Sequence, residues 1–167
     1  MFDFLFGRRN RRQERGPLED SRAPRPRDRR RERVEREVYM IASRFAHTGG
    51  VHYDEENGDW LMIPNYPLPA RWRQRRCNLL IVFPAGYPET PPIGFYLNRR
   101  FQLKSGGRDH HFTGQAYYGA ADLREAGWHW YCVHIAAGAW QPQADHTKPD
   151  NMWTFLNMVR ESLTNDF

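Results

Sequence analysis

The sequence predicts an α+β domain with a helix at each end of an antiparallel meander of about four strands, and three observations carry that prediction. Apolar residues recur at helical spacing from about Arg30 to Ala46 and again from about Pro149 or Asp150 to Leu163. Between these stripes lie short apolar runs separated by turn signals. The order is therefore helix, antiparallel strands, a long irregular segment and helix, the pattern of a meander with helices at its ends.

In the first helix Val34, Val38, Ile41, Ala42 and Phe45 share one stripe, and Thr48-Gly49-Gly50 ends it because glycine enters the left-handed conformation at little cost. A strand is predicted around Val51 to Tyr53. After it, Glu55-Glu56-Asn57-Gly58-Asp59 contains the tight-turn dipeptide Asn-Gly, and a returning strand runs from Trp60 to Ile63. Tyr66-Pro67-Leu68-Pro69 interrupts the sheet pattern. Cys77 to Phe83 is a continuous apolar run suited to a central strand, and Ile93 to Leu97 reads as one more. After Asn98 the chain loses regularity through Gly106-Gly107, Gly114 and Tyr117-Tyr118-Gly119 until the aromatic cluster Trp128, Trp130 and Tyr131, the profile of a functional loop region. In the last helix Trp153, Leu156, Val159 and Leu163 form the stripe, and Pro149 suits its start.

A chain of 167 residues that is 40% hydrophobic has room for one core and a tail. The formal net charge is +5, but residues 1–36 hold 13 Arg and 7 acidic residues, leaving −1 for residues 37–167. The division is thus a disordered Arg-rich tail over 1–36, too poor in apolar side chains to offset its ordering entropy, and a near-neutral domain over 37–167. A near-neutral domain gives no support to a nucleic-acid-binding face on the folded part. At the tail's start Phe2, Phe4, Leu5 and Phe6 stand beside Arg8, Arg9, Arg11 and Arg12, which is either a loose terminus or a peptide that docks on a partner or an acidic surface. No apolar run approaches the ~20 residues that span a bilayer, and no h-region follows Arg8-Arg9, so a cytoplasmic protein is expected. Two cysteines, Cys77 and Cys132, are too few for a disulfide scaffold.

Two stretches are more specific. Phe83-Pro84-Ala85-Gly86-Tyr87-Pro88-Glu89-Thr90-Pro91-Pro92 places four prolines, the last two adjacent, behind a strand, stiffening the path into the next one. The second begins at Cys132 and continues Val133-His134-Ile135-Ala136-Ala137-Gly138-Ala139 to Trp140-Gln141-Pro142, ahead of the last helix. The order Phe-Pro, Tyr-Pro, Pro-Pro resembles the link between the third and fourth strands of ubiquitin-conjugating enzymes, and a cysteine followed by Trp-x-Pro and a helix is similar to their active-site segment. The chain is identified on these motifs as a divergent, prokaryotic-type, bacterial member of that UBC-like superfamily over about residues 37–165.

That resemblance implies Cys132 as nucleophile, Trp140 and Pro142 shaping the loop beside it, and Pro84, Tyr87, Pro88, Pro91 and Pro92 as structural. It implies a ubiquitin-like protein received as a thioester from an activating enzyme of the ThiF-like type and passed to an amine of a protein substrate, with no cofactor and no metal. Thiolate chemistry suits this role because a thiolate attacks and leaves a thioester readily. The family's His-Pro-Asn tripeptide is missing, and Asp122-Leu123-Arg124 stands at its distance from the cysteine. Candidate bases or oxyanion supports are His110 and His111, within a displaced remnant, together with His129 and His134; His134 shares a side with Cys132 only if the segment is extended. A zinc reading would join His129, Cys132 and His134 with His110, His111 or His146, at spacing unlike recognised zinc modules. Two other functions are consistent with the chain: a catalytically inactive binding module of the same fold, and an adaptor whose Arg-rich tail meets nucleic acid or an acidic surface. Cys77, opening a strand-like run, reads as a small buried hydrophobe.

Overall fold

A computed structural model describes residues 25–107, 116 and 119–165. Helix α1 (Pro26–Ala42) runs into a 3-10 turn (Ser43–Thr48) and is followed by strands β1 (His52–Tyr53), β2 (Trp60–Pro67), β3 (Arg76–Val82) and β4 (Gly94–Leu97). A short 3-10 turn (Arg124–Ala126), strand β5 (His129–Cys132) and helix α2 (Met152–Thr164) complete the order. The sheet is ordered β1-β2-β3-β4-β5, and every neighbouring pair is antiparallel. The meander is the expected one with a fifth strand added. β5 escaped the sequence reading because Trp130 and Cys132 face one side of the sheet and Tyr131 and Val133 the other, and both sides are buried, so no polar alternation marks the strand.

Helix α1 begins at Pro26, within residues expected to be a disordered tail, so the boundary at 36 is corrected: residues 26–36 are helical. Proline fits the first turn, where its missing N–H would find no intrahelical partner. The expected start near Arg30 is thus about one turn late, because the inward positions that open the buried face are arginines instead of apolar residues. Arg30 and Arg33 are buried, one paired with Asp59 and the other with Glu37, their aliphatic stems packed against the domain. The Phe2–Phe6 cluster and the rest of the tail to residue 24 lie outside the described residues.

The turns follow local chemistry. Gly49 closes the 3-10 turn at φ 107°. In the β1–β2 connection the Asp54 carboxylate accepts from the backbone N–H groups of Glu56, Asn57 and Asp59, an Asx-type arrangement. Gly58 is required there twice: its φ is +65°, and a Cβ would stand 2.8 Å from Cα of Arg31 on α1. Tyr66-Pro67 continues β2 instead of interrupting it. The register shifts between Ile63 and Tyr66, with Asn65 at φ 49°, and pairing with β3 resumes at Tyr66–Cys77.

The sheet has two distinct faces. On one, α1 (Val34, Val38, Ile41) and α2 (Phe155, Leu156, Val159, Leu163) pack over Leu61, Ile63, Leu79, Ile81, Phe95 and Tyr131. The wholly buried Trp72 locks the end of this layer, its Nε1 donating to the Leu163 carbonyl at 2.8 Å. On the other face Met62, Leu80, Tyr96 and Trp130 are successive cross-strand partners, covered by Leu123 and Trp128. No helix among the described residues is long and apolar enough to cross a membrane.

Candidate functional site

Cys132 is the last residue of β5, the end strand of the sheet among the described residues, on the face away from the helices. It shares that face with Trp130 and is 7% exposed. Its partner across the ladder is Gly94. A Cβ at Gly94 would lie 2.5 Å from Nε1 of Trp130 and 2.4 Å from the Tyr131 carbonyl oxygen, so the missing side chain is what lets the Trp130 indole lie down beside the cysteine. Past the strand the chain stays extended for one more bond, Val133 N–H to the Ile93 carbonyl at 2.9 Å. Extended backbone puts residues i and i+2 on one side. The exposed His134 accordingly lies beside Cys132, with Nε2 3.5 Å from Sγ.

The other histidines fare differently. The register pairs His129 with Leu97, in a row with Leu79 and Ile63 on the helix-covered face. Three positions from Cys132, His129 points to the opposite side. Burial, with Arg100 and Arg124, holds its imidazole below the ordinary range. It is thus removed from the thiol in position and direction. His110 and His111 lie outside the described residues. At the place of the missing tripeptide, Asp122 and Arg124 form an exposed bidentate pair with each other, while Leu123 packs into the cluster that holds Cys132. The arrangement offers no amide side chain at that point.

The two motifs meet. Trp140 is buried, and its Nε1 donates to the Pro88 carbonyl at 2.7 Å. Tyr87 is buried against Phe83, ring centroids 4.8 Å apart, with Tyr87 N–H bonded to the Pro84 carbonyl. Pro92 is buried and Pro91 half-buried where the segment enters β4. Pro142 is half-buried in the loop before α2, and Asp150 steadies this stretch, Oδ2 accepting from the Gln141 N–H at 2.9 Å.

Several residues that hold the site were not foreseen. Glu37, wholly buried on α1, accepts from the Tyr87 hydroxyl and, at 3.1 Å, from the Met152 N–H; Arg33 donates to it at 2.5 Å. The signal was available: an acid on the apolar stripe Val34-Val38-Ile41, four residues after an arginine. Asn151 caps α2, accepting from Thr154 N–H at 3.0 Å and donating to the His146 and Lys148 carbonyls. Cys77, by contrast, is buried in β3 with its thiol directed at the Tyr66 carbonyl, 3.7 Å away, and burial pushes it up to about 12. No group of three or more potential ligands poised for a metal ion occurs among the described residues.

Comparison with known proteins gives one result for the family and none for individual relatives. Residues 42–166 match the family described as Prokaryotic E2 family E. No match is found among curated proteins or among solved structures.

Proposed function

Because the chain belongs to the prokaryotic E2 family, its family E, and that membership supports a role in ubiquitin-like conjugation in general, we propose that Cys132 carries a ubiquitin-like protein as a thioester. His134 takes the Cys132 proton, and the thiolate attacks the thioester carbonyl carbon on an activating enzyme of the ThiF-like type. The new C–S bond forms as the activating enzyme's thiolate leaves. An amine of the protein substrate then attacks the same carbon, the amide forms, Cys132 departs as thiolate, and the amine proton passes to base. The observation that carries this reading is the 3.5 Å approach of His134 Nε2 to Cys132 Sγ. Two features support it: Trp140 bonds to the proline turn on the far side of the same loop, and exposed His134 can exchange its proton with solvent. An activating step driven by ATP fits a cytoplasmic setting.

A second reading, a catalytically inactive binding module of the same fold, is favoured by the low exposure of Cys132 and by the Asp122–Arg124 pair at the distance where ubiquitin-conjugating enzymes usually carry His-Pro-Asn. One experiment separates the two. The protein is incubated with the ubiquitin-like proteins and activating enzymes of its own genome plus ATP, then run on a non-reducing gel. A thiol-sensitive adduct that disappears in Cys132→Ala, and becomes a thiol-resistant ester in Cys132→Ser, is the expected result. No adduct with any pair sinks the catalytic reading.

A further inference from the structure

Arg33 and Glu37 form a charged pair where charge is costly: Glu37 has 0% exposure and Arg33 8%. Burial pushes the Glu37 carboxyl above its ordinary range, outweighing the Tyr87 hydroxyl and the Arg33 guanidinium that act against it. One Arg33 nitrogen, Nη2, is buried without a hydrogen-bond partner. Apolar side chains of similar volume often fill such a place at little cost in stability, so stability is a poor reason for the pair. Its geometry suggests another.

The segment from Val133 to Trp140 is an arch that carries His134, with one foot just past the proline segment, Val133 N–H on the Ile93 carbonyl at 2.9 Å, and the other on it, Trp140 Nε1 on the Pro88 carbonyl at 2.7 Å. The first foot continues the sheet. The second is only as well placed as Pro88, whose neighbour Tyr87 is gripped through its hydroxyl by Glu37. Arg33 reaches past the same foot to the Gln143 carbonyl, at 2.5 Å. Met152 N–H, also on Glu37, ties in the start of α2, where the chain resumes after the loop.

We propose that Arg33 and Glu37 are positioning residues for the Cys132–His134 pair, a buried clamp on the far foot of the arch that keeps the imidazole within reach of the thiol. The proposal rests on the reading of Cys132 as nucleophile and adds to it a part for α1, which contributes no residue to the reaction. A buried pair that holds three chain segments trades stability for one defined geometry.

The test compares the full chain with Arg33→Met/Glu37→Leu, Glu37→Gln and Tyr87→Phe. Three quantities are read: the urea midpoint, exchange of the Trp140 indole N–H by NMR, and iodoacetamide alkylation of Cys132 at pH 7 by peptide mapping. In the double variant the midpoint falls modestly, because the Tyr87 hydroxyl and the Met152 N–H lose their acceptor, while Trp140 exchange accelerates about tenfold and alkylation falls about fivefold, more than the midpoint shift accounts for. Glu37→Gln, whose amide oxygen still accepts from Tyr87 or Met152, restores most of both. A merely structural pair would move the midpoint and leave the other two readings in step with it. If the double variant does not fold, Tyr87→Phe decides: faster Trp140 exchange supports the clamp and unchanged exchange overturns it. A Trp140 exchange rate that ignores a folded double variant also overturns it. An alkylation rate that ignores His134→Ala instead overturns the Cys–His reading, so the two failures are told apart.

Discussion

Cys77 and Cys132 stand in strands of one sheet, both buried, and the difference between their surroundings is what supports reading the first as a packing residue and the second as the proposed nucleophile. Cys77 lies in the central strand β3 on the helix-covered face, with a carbonyl as its polar neighbour, and burial, outweighing the opposing charge of Arg99, pushes its thiol up to about 12. Cys132 ends strand β5 on the other face, opposite a glycine, and the chain leaving it returns an imidazole to within 3.5 Å. Depth does not distinguish the two. What differs is that the end of a strand lets the backbone leave the sheet soon after the cysteine and bring a proton acceptor alongside.

The comparison can be broken most decisively by alkylation. Burial holds the Cys77 thiol far above the ordinary range, so very little of it is ionised at pH 8. Cys132, with an imidazole 3.5 Å from its sulfur, is expected to react with iodoacetamide at least about tenfold faster. Cys77 labelling should climb about tenfold for each pH unit up to the region of 12, since its thiolate fraction grows in that proportion. Equal labelling at pH 8, scored by mass spectrometry of the two peptides, would erase the distinction.

A smaller effect sharpens the role of the residue facing each cysteine. Tyr66 faces Cys77, and Gly94 faces Cys132. Gly94→Ala drives a methyl against the Tyr131 carbonyl and the Trp130 indole, and is expected to cost about 1–3 kcal/mol in urea unfolding. A neutral result would mean that Trp130 does not need the space over Gly94. Smallest is the contribution of the neighbouring base: His134→Ala is expected to slow Cys132 alkylation at pH 7 by about tenfold, with no change at Cys77. An equal fall at both cysteines would point to altered folding instead of lost proton transfer.

Much of this architecture is legible in residue order. The stripe Trp153, Leu156, Val159 and Leu163 gave α2 within a turn, and Asn57-Gly58 marked the first hairpin. The proline run and Cys132 to Pro142 located the two segments that meet through Trp140 and Pro88. His134 was conditional on extended backbone, and the backbone is extended. Harder to read were elements whose sides are both buried or whose inward residues are charged. β5 lacks polar alternation and was assigned to irregular chain, and the start of α1 was placed near Arg30 instead of Pro26 because the inward positions next to it, Arg30 and Arg33, are charged. Glu37 drew no reading from the sequence because its partners are 50 and 115 residues away.

By itself the sequence determined the order of elements, the stiff proline turn and the place of Cys132 in its motif, because periodicity, proline's fixed φ and short-range spacing are properties of neighbouring residues. Only the tertiary structure decided that His134 meets Cys132 and His129 does not, which cysteine is silenced by burial, and that α1 reaches the loop after Cys132 through Arg33 and Glu37. Those outcomes depend on strand register, on which face of the sheet is covered, and on contacts between distant residues. Such contacts form only when the whole chain closes over its core.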